Sequence, residues 1–328
     1  MTAVMKATVY NRNGAAADVL SVVERPMPKP SDGEVRVRLA LSGVNPSDVK
    51  TRARPGMAYD EVIPHSDGAG VVDAAGPGAA PELVGRRVWI FNGQWERAHG
   101  TAAQYIALPA SQVVPLPDGV DFEIGASIGI PLMTAYHAVE ACDRLAGKTV
   151  LVPGAAGAVG FYAAQLARLA GARVIAVVSS EAKADIARAA GAAAVVNYRE
   201  EDVVERVRSI TGGHGVDRII EVDAAGYGQS YGDLLAFGGK VVCYGSNAAD
   251  VLLPFRPLIM GFVSLYFFIV YRLPADAMRR TTEGITRLLA RGDLTHPATA
   301  TYELADIVAA HRRVEQGANA KVLVKLPD

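Results

Sequence analysis

The chain has 328 residues, enough for about two domains of ordinary size, each with its own core. Half of the residues are apolar, a fifth are charged and the formal net charge is -1, so no basic block exists to hold nucleic acid. Two cysteines far apart in sequence, Cys142 and Cys243, make neither a disulfide framework nor a metal-ligand spacing; free thiols suit a reducing, cytoplasmic setting.

In chain order, the opening MTAVMKATVYNRNG lacks the apolar core of a signal peptide. Residues 1–125 read as strands and turns. Val35, Val37, Leu39 and Leu41 alternate with Arg36, Arg38 and Ala40, the period of a half-buried strand. Apolar runs follow at 70–72 and 87–91, and Pro26, Pro28, Pro30, Gly33, Pro77 and Gly78 punctuate the segment, as in a small β-barrel. The pattern changes near Glu123. Strands are predicted at 148–152, 173–178, 194–196, 217–222 and 240–244. Helices are predicted between them at 158–170, 181–190, 202–210 and 229–237. This alternation specifies an α/β fold with a doubly wound parallel sheet. The apolar run 258–271 is too short for the roughly 18–20 residues of a membrane span, and Gly261 and Ser264 interrupt it, so it reads as a buried strand with its flanks and no membrane contact. Helices at 276–289 and 304–315 and a strand at 321–326 close the chain.

One turn carries chemistry. Gly154, Ala155, Ala156, Gly157, Ala158, Val159 and Gly160 follow a strand and open a helix. Glycine serves there for a tight turn, for close approach to a pyrophosphate and for helix–strand packing. The pyrophosphate of a nicotinamide dinucleotide then meets free N–H groups at the helix N-terminus. The next strand ends in Ser179 and Ser180 rather than in the acid that bonds an unphosphorylated ribose; Glu181 comes too late and reads as a first-turn helix residue. Lys183 lies in that same first turn, where the helix dipole disfavours a cation and a 2′-phosphate reverses the penalty. Tyr198 follows the next strand and covers the adenine side. The cofactor expected is NADPH. Gly245 and Ser246, after the strand 240–244, complete the expected binding set.

The segments 43–48 (GVNPSD), 66–72 (SDGAGVV), 128–136 (IGIPLMTAY), 154–160, 197–200 (NYRE), 237–240 (FGGK) and 320–324 (AKVLV) run from end to end. Together they resemble the zeta-crystallin type of quinone oxidoreductase, in the medium-chain dehydrogenase/reductase superfamily. The resemblance implies a GroES-like barrel domain from residues 1–125 and 274–328, a Rossmann dinucleotide-binding domain from 126–273, and a cleft between them. It places Asn45 and Thr134 near the nicotinamide, Ser179, Lys183 and Tyr198 at the 2′-phosphate, and Lys321 at the cofactor edge. Two residues depart from the family pattern: Ala320 and His65 stand where glycines are usual.

In zinc-dependent members of that superfamily three ligands are expected where this chain has Asn45, Ser66 and Ile130, a set that cannot build a tetrahedral zinc site. Without a Lewis acid the expected chemistry is hydride transfer to an acceptor already electrophilic, a quinone or an activated alkene (2-enal or enone). Candidate assisting groups are Asn45, Tyr59 in the loop 54–60, Lys50 and Arg52 for oxyanion charge, and His65 as a proton donor. From a different class stands a dinucleotide-binding protein with structural or RNA-binding duty, against which the near-neutral charge argues. The run 261–271 is expected to be an edge strand that joins two copies into a homodimer.

Overall fold

The computed structural model describes residues 3–327. Its strands are β1 (Val4–Val9), β2 (Ser21–Pro26), β3 (Glu34–Val44), β4 (Asp67–Ala75), β5 (Arg87–Ile90), β6 (Tyr105–Pro109), β7 (Val113–Pro115), β8 (Thr149–Pro153), β9 (Arg173–Val178), β10 (Ala194–Asn197), β11 (Val216–Glu221), β12 (Leu235–Cys243), β13 (Ser264–Phe267), β14 (Thr299–Glu303) and β15 (Lys321–Lys325). The chain separates into two units. One comprises residues 1–130, 286–292 and 296–328; the other comprises 131–285 and 293–295.

The first unit is built around β3. Its alternating Val35, Val37 and Leu39 are buried as the period-2 pattern requires. β3 pairs antiparallel with β4 along one side. On the other side it pairs with β6 over its first half and with β15 over its second. This exchange of partners brings the C-terminal strand beside the end of β3, with Val322 opposite Val44 and Asp67 opposite Gly43. Besides the single turn Ala16–Val19, two helices here escape a strand-and-turn reading, Pro46–Ala53 and Phe122–Ala141. The first opens with proline at N1 and an acid at N3, which is ordinary N-terminal chemistry. The second contains Gly125, Gly129 and Pro131 and is apolar over most of its length, so it shows breakers and only a weak amphipathic stripe.

The second unit carries a wholly parallel six-stranded sheet in the order β10-β9-β8-β11-β12-β13. In chain order this is 3-2-1-4-5-6, with the reversal between β8 and β11. Val174–Val178 of β9 and Leu151–Val152 of β8 are buried on both faces, as parallel strands covered by helices must be. The structure departs from the sequence pattern at two places. Residues 229–237 are not one helix: short helical turns end at Leu234, and β12 begins at Leu235, which pairs with Val216. The run 258–271 is not a buried strand. Phe255–Met260 is helical, Phe262 takes a left-handed φ of 54°, and only Ser264–Phe267 is strand, at the sheet edge. Phe255, Met260, Phe262 and Phe267 are exposed. Among the described residues no helix is long and apolar enough to cross a membrane.

Candidate active site

In the second unit β8 delivers the chain to the point where the strand order reverses. Gly154 turns there with φ 67°, a region costly to any side chain. Gly157 is the N-cap of the helix Ala158–Leu169. A Cβ on Gly160 would lie 2.3 Å from the Gly154 carbonyl oxygen and 2.8 Å from the Ala155 Cα, so helix and turn meet only across glycine. Ala155 is buried; Ala156, Ala158 and Val159 are half-buried around the mouth of the turn. The N–H groups of the first helical turn have no intrahelical acceptor, and the dipole adds a partial positive charge. A cradle that any Cβ would fill, opening on such a helix, fits a dinucleotide pyrophosphate.

Beside it, Ser180 caps the helix Glu181–Ala189 by accepting from the Lys183 N–H. The Lys183 ammonium turns back to donate to Ser179 Oγ at 3.0 Å. Tyr198 is exposed and its N–H bonds the Val178 carbonyl, which places it next to Ser179. Glu181 points along its helix to Arg188, 2.6 Å away. Gly245 lies where a Cβ would meet the Val222 carbonyl at 2.4 Å, and Ser246 Oγ donates to the Ala248 carbonyl. Thr134 is buried within the helix Phe122–Ala141. One acid that pattern reading passes over is Glu221, fully buried at the carboxyl end of β11. It accepts from the Asp223 N–H and the Tyr231 hydroxyl, and burial pushes its pKa up to about 7.

The first unit gathers a second set where β3, β4 and β15 end side by side. Lys321 Nζ donates to Asn45 Oδ1 at 2.6 Å and to Asp67 Oδ2 at 3.0 Å; Asn45 Nδ2 donates to the same Asp67 oxygen at 2.8 Å. Asp67 Oδ1 accepts the Ile130 N–H at 2.7 Å. Asp48 Oδ2 accepts the Asn45 N–H at 2.7 Å. Asn45, Asp48, Asp67 and Lys321 are all buried. Desolvation first, and then the Asp67 charge, raise the Asp48 pKa to about 7, against the Asn45 bonds and the Lys321 charge. Asn45 and Lys321 are thus brought together, as two site candidates from opposite ends of the chain. Asp67 was not among the candidates; its signal in the sequence is a lone acid heading a run of small buried residues.

Arg52 and His65 are themselves fully buried and lie in a different chain of hydrogen bonds. Arg52 pairs with Glu315 and donates to the Gly14 carbonyl and, at 3.4 Å, to His311 Nδ1. Because guanidinium only donates, His311 must carry its proton on Nε2 and pass it to His65 Nε2 at 2.9 Å. His65 Nδ1 then donates to Ser42 Oγ at 2.8 Å, Ser42 to Thr101, and Thr101 to the Asp67 carbonyl. Both rings are held neutral, by burial first and then by neighbouring positive charge. Tyr59 lines a cavity of about 280 Å³ with Tyr10, Met57 and Trp95, and Lys50 is exposed at the end of its helix. Neither bonds the Asn45 set.

None of the three positions that hold zinc in zinc-dependent members carries a free metal donor of the required kind. Asn45 already holds an ammonium, Ile130 has an apolar side chain and gives its N–H to Asp67, and Ser66 is a buried hydroxyl. These donors do not fit a zinc ion.

A family model described as zinc-binding dehydrogenase matches residues 158–290, and one described as alcohol dehydrogenase GroES-like domain matches residues 31–118. The quinone oxidoreductase of Homo sapiens is 30% identical over 301 residues, covering 90% of this chain and 89% of its own. The chain belongs to the quinone oxidoreductase family. It is an oxidoreductase of the medium-chain dehydrogenase/reductase superfamily, with the GroES-like and Rossmann architecture its sequence implied. Among solved structures, a mycobacterial protein, Rv1454c, complexed with NADPH is 28% identical with a TM-score of 0.85, over 98% of this chain and 100% of its own. A structure described as an NAD-dependent alcohol dehydrogenase is 31% identical with a TM-score of 0.87, again over 98% and 100%. Relatives of this oxidoreductase thus carry both nicotinamide cofactors in their names, and the choice between them falls to its own residues.

Proposed function

We propose that this oxidoreductase uses NADPH, without zinc, to reduce a quinone. The observation that carries the cofactor choice is the Lys183–Ser179 hydrogen bond at the end of β9, with Glu181 tied to Arg188. An ammonium and a hydroxyl there suit a 2′-phosphate, and the one nearby acid is directed along its own helix. When bound, the nicotinamide supplies the hydride. Gly154, Gly157 and Gly160 cradle its pyrophosphate, with Ala158 and Val159 donating from the helix turn. Asn45 and Lys321 present hydrogen-bond donors in the buried set of the first unit, the kind of group that steadies charge on a reduced quinone oxygen. Zinc independence follows from the donor set at Asn45, Ser66 and Ile130.

The deciding assay is NADPH oxidation with 1,4-benzoquinone and 9,10-phenanthrenequinone, with NADH and with 2-enals as alternatives, each with and without chelator. Quinone-dependent oxidation, faster with NADPH and insensitive to chelator, is expected. Turnover confined to 2-enals makes it an enone reductase instead, and loss of activity on chelation refutes the zinc-free reading.

The same reading includes a homodimer. β13 ends the six-stranded sheet, and Phe237, Met260, Phe262, Phe267 and Ile269 are exposed beside it. An open apolar edge of this kind is an aggregation hazard unless paired, and a second copy across a two-fold axis covers both backbone and side chains. Sedimentation should give a dimer across the micromolar range; an active monomer there would overturn this.

A further inference from the structure

We propose that Asp67 is a positioning residue, whose single carboxylate fixes the orientation of the Asn45 amide and the place of the Lys321 ammonium. This rests on the reading that Asn45 and Lys321 serve the reduction. The two oxygens of Asp67 have separate duties. Oδ1 takes the Ile130 N–H, which anchors the carboxylate to the helix Phe122–Ala141. Oδ2 accepts from both Asn45 Nδ2 and Lys321 Nζ.

The Asn45 amide then has one permitted orientation. Its oxygen faces an ammonium and its nitrogen faces a carboxylate; a flip would set NH₂ against NH₃⁺ and C=O against COO⁻. An asparagine at a helix N-cap ordinarily turns its side chain onto the first-turn N–H groups. Here Asp48 takes the reciprocal bond from the Asn45 N–H, as in a capping box, and the amide nitrogen reaches on to Asp67. With these contacts made, Lys321 keeps one N–H for a further acceptor, and the Asn45 amide is held in one direction. Donors fixed before the reaction need no reorganisation when charge develops on an oxygen.

The surroundings are shaped for this arrangement. A Cβ on Gly43 would stand 3.0 Å from the Asp67 Cβ and 3.1 Å from the Lys321 Cε, and 2.1 Å from the Ala126 carbonyl oxygen. A Cβ on Gly129 would reach Asp67 Oδ1 at 2.4 Å. The Thr101 hydroxyl, last in the histidine chain, holds the Asp67 carbonyl at 2.5 Å. The residue is therefore fixed through its main chain and through both carboxylate oxygens.

The test is Asp67→Asn, which keeps an acceptor for Ile130 and turns the other oxygen into a donor. Asn45 must then flip to satisfy the new amide and release Lys321. The expected result is a fall in kcat of about 10²-fold, the scale for losing a preorganised donor, with KM for the quinone changed less than about threefold. The double variant Asn45→Asp with Asp67→Asn restores one carboxylate and an acceptor for Lys321. It should regain the wild-type melting temperature while turnover stays low, because position 45 no longer offers an N–H. A double variant that recovers turnover along with stability shows that no N–H at position 45 is needed, and overturns the proposal. If the single variant fails to fold, the double variant still decides, since folded and active overturns the proposal. A folded Asp67→Asn enzyme with kcat within threefold of wild type also overturns it. Wild-type protein that fails to oxidise NADPH with any of the quinones refutes the proposed function instead, before either variant is read.

Discussion

Gly160→Val should remove dinucleotide binding almost entirely. The first added carbon would sit 2.3 Å from the Gly154 carbonyl oxygen, and both near neighbours are backbone, so no side chain can swing aside. The helix Ala158–Leu169 must then move off the turn. Overpacking of this kind costs about 1–3 kcal/mol of stability. Displacing the first-turn N–H groups should raise the dinucleotide Kd by about 10²-fold or more, each tenfold being about 1.4 kcal/mol. Thermal unfolding reads both effects. In the wild-type protein, ligand at about 100 times Kd adds about 2.7 kcal/mol, and in the variant that increment should vanish. Gly157→Ala separates phosphate crowding from helix displacement. Its φ of -76° is ordinary, and the nearest contact for the new methyl is the Gly154 carbonyl oxygen at 3.3 Å. The fold should survive it while affinity falls. A Gly160→Val protein stabilised by NADPH as strongly as wild type would remove this turn from the binding site.

That turn was legible because its signal is local: strand, three spaced glycines, helix. The alternation of β3 and the strand–helix order of residues 148–244 were legible for the same reason, since side-chain period is set by backbone geometry. The helix Phe122–Ala141 was not, because its glycines serve partners distant in sequence. Gly129 exists to clear Asp67, a reason invisible until the two are brought together. The edge at 258–271 failed in the opposite way. Hydropathy says that a segment avoids water, not whether its own chain or another covers it.

The Asn45 set shows the same limit in the site itself. Asn45 and Lys321 stood as separate candidates, each implied by the family resemblance alone. Only the antiparallel pairing of β15 with β3 makes them neighbours, and only the pairing of β3 with β4 adds the acid that orients them. Arg52 and His65, equally plausible as polar groups, are joined instead through His311, with Glu315 and Gly14 holding Arg52. Residue type and position in sequence do not distinguish the two pairs; strand register and helix docking do.

Lys183→Glu should reverse the cofactor preference with little change in stability. Lys183 is the third residue of its helix, and the Ser180 cap bonds its main-chain N–H, which the substitution leaves in place. An acid in a first helical turn is favoured by the dipole, so the fold gains if anything. What disappears is the ammonium beside Ser179 Oγ. A hydrogen bond to a charged group is worth about 1.5–3 kcal/mol, or roughly 10- to 150-fold in Kd, and the new carboxylate adds repulsion against a 2′-phosphate. NADH lacks that phosphate and has a ribose hydroxyl the carboxylate can accept from. The ratio of Kd for NADPH to Kd for NADH should therefore rise by about 10²-fold, read by titration of intrinsic fluorescence for both cofactors. Lys183→Met isolates the lost contact from the added repulsion and should fall between the two. If the ratio is the same in wild type and Lys183→Glu, Lys183 does not meet the phosphate, and the end of β9 does not choose the cofactor.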